Sequence, residues 1–186
     1  MLAAFVAASL VILLTPGPTN TLLAASGAVF GLRRGAVLAL AEAAGYTVAI
    51  SFFIALAGIL ADNSMAMPIL KGVAATWLLI SAVNLWRRPV RFSGAAEISA
   101  AAWRVFVTTI LNPKAMLVGS VVIPSLMPGD GAKAVAIYIA LSCLAGLAWL
   151  TMGAWLPLKA RPYAYKVAAV VLGAFSVAAA TSSVSG

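Results

Sequence analysis

The sequence Thr15-Pro16-Gly17-Pro18-Thr19-Asn20 (TPGPTN) interrupts a strongly apolar run that extends from Leu2 to Phe30. Proline lacks a backbone N–H and clashes with the preceding turn, so two prolines around a glycine end a regular helix. A second apolar run, Trp103–Met127, is interrupted in the same way at Asn112-Pro113-Lys114. The sequence therefore predicts two broken helices, one in each half of the chain.

The composition around these motifs is that of a membrane protein. Hydrophobic residues make up 64% of the 186 residues and charged residues 9%, and the mean hydropathy is +1.10. Soluble proteins average roughly 45–50% apolar and about 25% charged residues. This difference excludes a disordered chain and argues against a water-soluble enzyme. The net charge of +8 comes from short basic clusters between apolar runs, a pattern typical of a protein in a lipid bilayer rather than one that binds nucleic acid.

A helix needs about 20 apolar residues to cross the hydrocarbon core. The connector 88–102 divides a single transmembrane domain, 1–186, into a first half, 1–87, and a second half, 103–186. With three spans per half, the halves enter the bilayer from opposite sides, which predicts an all-α membrane protein with a 3+3 inverted repeat whose helices 1 and 4 are broken. The six predicted spans are Leu2–Phe30, Gly35–Ala61, Met65–Trp86, Trp103–Met127, Ala134–Leu158 and Val167–Val184.

Basic residues predict the orientation of these spans. They concentrate on the connectors between spans 1 and 2, 3 and 4, and 5 and 6, which share one side of a six-span protein. That side should be cytoplasmic, with both termini outside. The segment Met1–Leu14 has no basic n-region, so we expect a retained helix rather than a cleaved signal peptide. The basic residues are Arg33 and Arg34; Arg87, Arg88 and Arg91; and Lys159, Arg161 and Lys166.

The two breaks are candidate binding sites. Backbone groups freed inside a bilayer need partners from protein or from a water-filled cavity. Interrupted spans at matching positions of two halves indicate a transport site. The half-helix that begins near Pro18 has free N–H groups and partial positive charge, which suit a carboxylate. Thr19 and Asn20 can cap this half-helix or contact a substrate. The alternative is that both breaks are structural kinks in a packed bundle.

Two charged residues lie inside predicted spans. Lys114 is ten residues past Arg104, or about 15 Å along a helix, so it needs a partner or a wet cavity. Glu42 is the only carboxylate well inside a span. It can pair with Lys114, bind a substrate ammonium or take up a coupling proton, unless it faces a cytoplasmic vestibule. We expect the two breaks to meet near the midplane and line one cavity, and Glu42 to pair with Lys114 in at least one state.

Several function classes are disfavoured by what the sequence contains. The chain has no histidine and a single cysteine, Cys143, so we expect no metal site, no cofactor and no intrachain disulfide. No phosphate-binding GxxxxGK[ST] motif occurs, which argues against ATP-driven transport by this chain. An intramembrane enzyme would need a nucleophile with a base, and the sequence offers no such set. Small residues at Gly27, Gly31 and Gly35 permit close helix packing, either internally or in a homodimer.

With these residues in view, the chain resembles the LysE/RhtB family of amino-acid exporters. The resemblance rests on TPGPTN at 15–20, FVTTILNPKA at 106–115, VLGAFSVAAA at 171–180 and glycines at 31, 35 and 45. It implies export of amino acids or related small zwitterionic metabolites across the bacterial cytoplasmic membrane, driven by the proton gradient. Glu42 stands where a glycine is common in the family. The residues that match the family's two motifs are Pro16, Gly17, Pro18 and Asn20, and Asn112, Pro113 and Lys114.

The sequence thus predicts a secondary exporter rather than an enzyme. The predicted substrate contacts are the residues of the two breaks, 16–20 and 112–114, and Glu42 is the candidate for proton coupling. The remaining alternative is a passive channel or a scaffold subunit that transports nothing. A channel would place polar faces along several helices, and the fifth and sixth spans contain no charged side chain.

Overall fold

The computed structural model describes residues 1–62, 65–87 and 95–184, which are almost entirely helical. Arg88, Arg91 and Ser93 of the predicted connector lie outside the described residues. The helices are α1 (Leu2–Leu14), α2 (Pro18–Asp62), α3 (Ala66–Arg87), α4 (Ala95–Ile110), α5 (Pro113–Leu117), α6 (Ile123–Leu126), α7 (Gly131–Ala154) and α8 (Ala164–Val184). A π-helical turn, Val118–Val122, joins α5 to α6, and a 3-10 turn, Arg161–Tyr163, precedes α8.

Among the described residues, four helical segments are long and apolar enough to cross a membrane: residues 18–56, 68–87, 131–154 and 164–183. A fifth is added if residues 96–110 and 113–126, which are bent by 42° at the second break, count as one span. The prediction of an all-helical chain with several membrane-spanning segments is confirmed at this level. Helix α1 has 13 residues and is too short to cross alone, so the six-span arrangement stays a prediction.

Helix α2 differs from the predicted pair of spans with a connector between them. It is one helical stretch of 45 residues that leaves helical conformation at Gly31, where φ is 70° and ψ is 173°. Glycine adopts this left-handed backbone without the steric cost that a Cβ would add. No proline accompanies Gly31, so the chain kinks and Arg33 and Arg34 remain in helix. We refer to residues 18–30 as the first arm of α2 and to residues 32–62 as its second arm.

Other helix ends also lie several residues from the ends of the predicted spans. Helix α4 begins at Ala95 rather than Trp103, because the alanine-rich end of the connector favours helix. Helix α7 ends at Ala154 rather than Leu158, since Pro157 disfavours helical backbone in the residue before it. Helix α8 begins at Ala164 rather than Val167.

Glycines let α7 pack directly against the backbone of the first arm. A Cβ built on Gly27 would lie 2.0 Å from the carbonyl oxygen of Leu150, and one on Gly153 would lie 1.8 Å from that of Ala24. Neither distance is compatible with a side chain. The close helix packing predicted for Gly27 therefore occurs within the chain. It brings the backbone of α7 into contact with the first arm, next to the first break.

The second arm has two contacts of the same kind. A Cβ on Gly45 would lie 2.9 Å from the carbonyl oxygen of Phe106 in α4, and a Cβ on Gly119 would lie 2.9 Å from that of Ile50. Both halves of the second broken helix therefore touch the second arm closely. Helix α3 packs mainly against α8 instead, so it lies outside this tightly packed group.

We expect Gly27→Ala to destabilise the protein by about 1–3 kcal/mol, because its methyl group would displace the α7 backbone. Gly173→Ala is the matched control, since a Cβ at Gly173 in α8 has no atom within 4 Å. That change should stabilise the helix by about 0.5–1 kcal/mol. The free energy of unfolding in mixed detergent micelles measures both effects. Equal effects of the two substitutions would contradict the direct backbone contact.

Candidate functional site

The side chain of Asn20 forms hydrogen bonds across the first break. Helix α1 ends at Leu14, and Pro18 begins α2, a position that suits proline because no helical N–H is needed there. The Asn20 amide donates to the carbonyl oxygens of Leu13 at 2.7 Å and Thr15 at 2.9 Å. It thus supplies partners to two carbonyl groups at the end of α1, which have none within their own helix.

The side chain of Asn112 forms hydrogen bonds both within the second break and to the first break. The Asn112 Oδ1 accepts from the backbone N–H of Lys114 at 3.0 Å and so caps α5, which begins at Pro113. The Asn112 Nδ2 donates to the hydroxyl oxygen of Thr19 at 3.0 Å. Asn112 is 4% exposed and Thr19 is 0% exposed. One buried amide therefore joins two segments that are 93 residues apart in the chain.

Lys114 makes a second bridge between the breaks. Its ammonium donates to the carbonyl oxygen of Thr15, at the end of α1, where the helix dipole favours a cation. A Cβ on Gly17 would lie 3.2 Å from both Cε and Nζ of Lys114, so the glycine leaves space for the lysine. The prediction that Lys114 needs a partner is confirmed, and that partner is a backbone carbonyl group.

Two contributors to this site were missed by sequence analysis. The Thr109 hydroxyl donates to the carbonyl oxygen of Val105 at 2.8 Å and lies 3.4 Å from the Thr19 hydroxyl. The indole N–H of Trp149 donates to the carbonyl oxygen of Leu13 at 3.4 Å. Thr109 lies three residues before Asn112, so its helical spacing placed it on the same face. Nothing in the sequence indicated the contact of Trp149.

Glu42 lies in a separate buried cluster between the second arm and α7. Its side chain is 1% exposed, and its Oε2 has no hydrogen-bond partner among the described residues. A Cβ on Gly146 would lie 2.6 Å from that oxygen. The rings of Tyr46 and Tyr138 meet edge to face, with centroids 5.2 Å apart, and their buried hydroxyls likewise have no partner in the described part of the chain. We call Glu42, Tyr46 and Tyr138 the buried polar cluster.

Glu42 and Lys114 form no salt bridge in this conformation, although they are close enough for their charges to interact. The Lys114 ammonium contacts Thr15, while the Glu42 Oε2 packs against Gly146. The interpretation of Glu42 as a vestibule residue is wrong for this conformation, because the side chain is almost completely buried. Pairing in another state stays a prediction. Burying a carboxylate without a partner is costly, so this position favours the neutral, protonated acid.

A cavity of about 80 Å³ adjoins the second break. It lies where α3 and α8 meet the second arm and the end of α4, and Asn112 and Pro113 form part of its wall. Residues 15–20 of the first break do not line this cavity. The two breaks contact each other, as predicted. This cavity does not fit the prediction that both breaks line one space, because only the second break contributes to its wall.

Comparisons of the chain with models of protein families, with curated proteins and with solved structures find no match. The interpretation of the site therefore rests on the residues and their geometry.

We expect Lys114→Met to destabilise the protein by about 1.5–3 kcal/mol, the usual worth of a hydrogen bond to a charged group. The substitution keeps an unbranched side chain and leaves the Thr15 carbonyl without the ammonium. Lys133→Met, at an exposed position near the start of α7, is the control and should change stability by less than about 0.5 kcal/mol. Unfolding in detergent measures both variants. A neutral Lys114→Met would show that the bridge adds nothing to stability.

Proposed function

We propose that the protein is a secondary exporter of amino acids or related small zwitterionic metabolites, of the LysE/RhtB type, in the bacterial cytoplasmic membrane. The observation that supports this most is the direct contact of the two broken helices, Asn112 to Thr19 and Lys114 to Thr15. Paired half-helices with polar backbone facing each other are the usual frame of a transport site. A purely structural kink needs no lysine or amide shared between the two breaks.

An inverted repeat accounts for the packing on both sides of the breaks. Pro18 and Pro113 each begin the helix that follows a break. Gly27 in the first of these half-helices touches the carbonyl of Leu150, and Gly119 beyond the second touches that of Ile50. Each contact joins a broken helix of one half to the middle helix of the other half. This correspondence supports six spans, with the first arm and α1 forming the first span and the second arm the second.

The contacts between the breaks suggest how a zwitterionic substrate would bind. Its carboxylate would compete with the Thr15 carbonyl for the Lys114 ammonium and with the Thr19 hydroxyl for the Asn112 amide. Both donors prefer a charged acceptor, since charge-assisted hydrogen bonds are roughly twice as strong as neutral ones. Binding would therefore release the contacts that hold the breaks together, and so favour an open state.

We assign proton coupling to Glu42 within the same proposal. A protonated Glu42 suits the present buried position, whereas release of the proton creates a charge that needs Lys114 or water. Substrate on Lys114 would remove that partner, which makes proton uptake by Glu42 more favourable. Export would thus be linked to proton entry without any histidine.

We expect purified protein in proteoliposomes to catalyse counterflow, in which a trapped internal amino acid accelerates uptake of the labelled one. Glu42→Gln should keep this exchange, because an amide resembles the protonated acid, and should abolish transport driven by a pH gradient. Wild-type protein that conducts solute without counterflow would instead indicate a passive channel. Asp130→Asn, at an exposed position before α7, is the control and should leave both activities unchanged. Unaltered pH-driven transport by Glu42→Gln would reject Glu42 as the coupling residue.

The proposed orientation can be tested by cysteine labelling in a Cys143→Ser background. Single cysteines at Arg34 and Lys159 should react with a membrane-impermeant reagent only after cells are permeabilised, because basic connectors remain cytoplasmic. A cysteine at Asp130 should react in intact cells. Labelling of Arg34→Cys or Lys159→Cys in intact cells would reverse the orientation.

A further inference from the structure

The cavity beside the second break has apolar walls drawn from four parts of the fold. Phe53 of the second arm, Leu70 and Ala74 of α3, Met116 of α5 and Ala179 of α8 line it. A single buried water needs about 10–15 Å³, so the volume of about 80 Å³ is larger than a hydration site. A space with such walls is suited to an aliphatic group rather than to water.

The same cavity adjoins the C-terminal end of α4. Ile110 and Leu111 both line it, and no N–H or O–H donor of the described residues bonds to their carbonyl oxygens. Pro113 lacks an N–H, and the N–H of Lys114 is used by Asn112. Carbonyl groups released by an interrupted helix, at the negative pole of the helix dipole, are suited to a cation.

A positive group lies on the same cavity. Lys71 is part of its wall, and its ammonium donates to the carbonyl oxygen of Ser182 at 3.0 Å. An ammonium has three N–H donors, so this contact leaves donors for a carboxylate. Apolar walls and free carbonyl groups match the aliphatic side chain and the amino group of one ligand. Its carboxylate would bind Lys71 while the two breaks are in contact, as in this conformation, and would bind Lys114 and Asn112 once it has displaced the contacts between the breaks.

We propose that this cavity is the substrate subsite and that it selects amino acids with aliphatic or thioether side chains. The inference rests on the proposed export function and adds the class of side chain. Residues 13–20 of the first break do not line this cavity, and the carbonyl groups of Leu13 and Thr15 there already have partners. A lipid chain is the competing occupant, and it would not use the free carbonyl groups of Ile110 and Leu111.

The test is counterflow of labelled leucine and labelled alanine by the full chain in proteoliposomes. Ala74→Phe fills the cavity and should lower leucine counterflow about tenfold or more relative to alanine, since pocket size discriminates by roughly 10–200-fold per methylene. Val73→Phe is the matched control, because Val73 is the adjacent residue, is 52% exposed and does not line the cavity. It should leave the ratio of leucine to alanine unchanged.

A second variant enlarges the cavity instead of filling it. Its result does not depend on whether the fold accepts a larger side chain. Met116→Ala enlarges the space and should raise counterflow of phenylalanine relative to leucine. Equal losses for leucine and alanine in Ala74→Phe, with no change of preference in Met116→Ala, would overturn the subsite while leaving the export function intact. Wild-type protein without counterflow of any amino acid would overturn the export function and this inference with it.

Discussion

Backbone groups that leave a helix inside a bilayer need partners from the protein, and this requirement organises the centre of the molecule. At the end of α1 the partners are the side chains of Asn20 and Lys114. Because Lys114 belongs to the second broken helix, closing the first break also attaches the two halves of the chain to each other. Asn112 has the same double use, since it caps α5 and donates to Thr19.

Both breaks leave backbone carbonyl groups without a bonded donor among the described residues. At the first break the carbonyl groups of Leu13 and Thr15 are bonded and those of Leu14 and Pro16 are not, and at the second break those of Ile110 and Leu111 are not. The buried polar cluster is similarly incomplete, with unpartnered oxygens on Glu42, Tyr46 and Tyr138. Buried polar groups are normally hydrogen-bonded. These unpartnered groups are therefore the ones on which the proposed binding of substrate and proton is placed.

Local chemistry made both breaks predictable, because proline and glycine act on their own turns. Residues 16–20 and 112–114 could be chosen for that reason, and the structure brings them together. The partners could not be predicted, since Thr19 and Asn112 are separated by 93 positions and their contact depends on how the helices pack. The kink at Gly31 was missed because a lone glycine gives no signal that separates a bend from a loop. The proximity of Tyr138 to Glu42 could not be predicted either, because the two residues are far apart in the sequence and are brought together only by helix packing.

The glycine contacts limit how the breaks can separate. At Gly27, Gly45 and Gly119 a helix touches the backbone of its neighbour, and close-packed surfaces of this kind move as units. The hydrogen bonds between the breaks are few, and each uses a donor that a carboxylate can take over. In the proposed transport cycle, opening would exchange polar partners at residues 15–20 and 112–114 without repacking the glycine contacts. Helix α3, which packs mainly on α8, lies outside those contacts and beside the cavity.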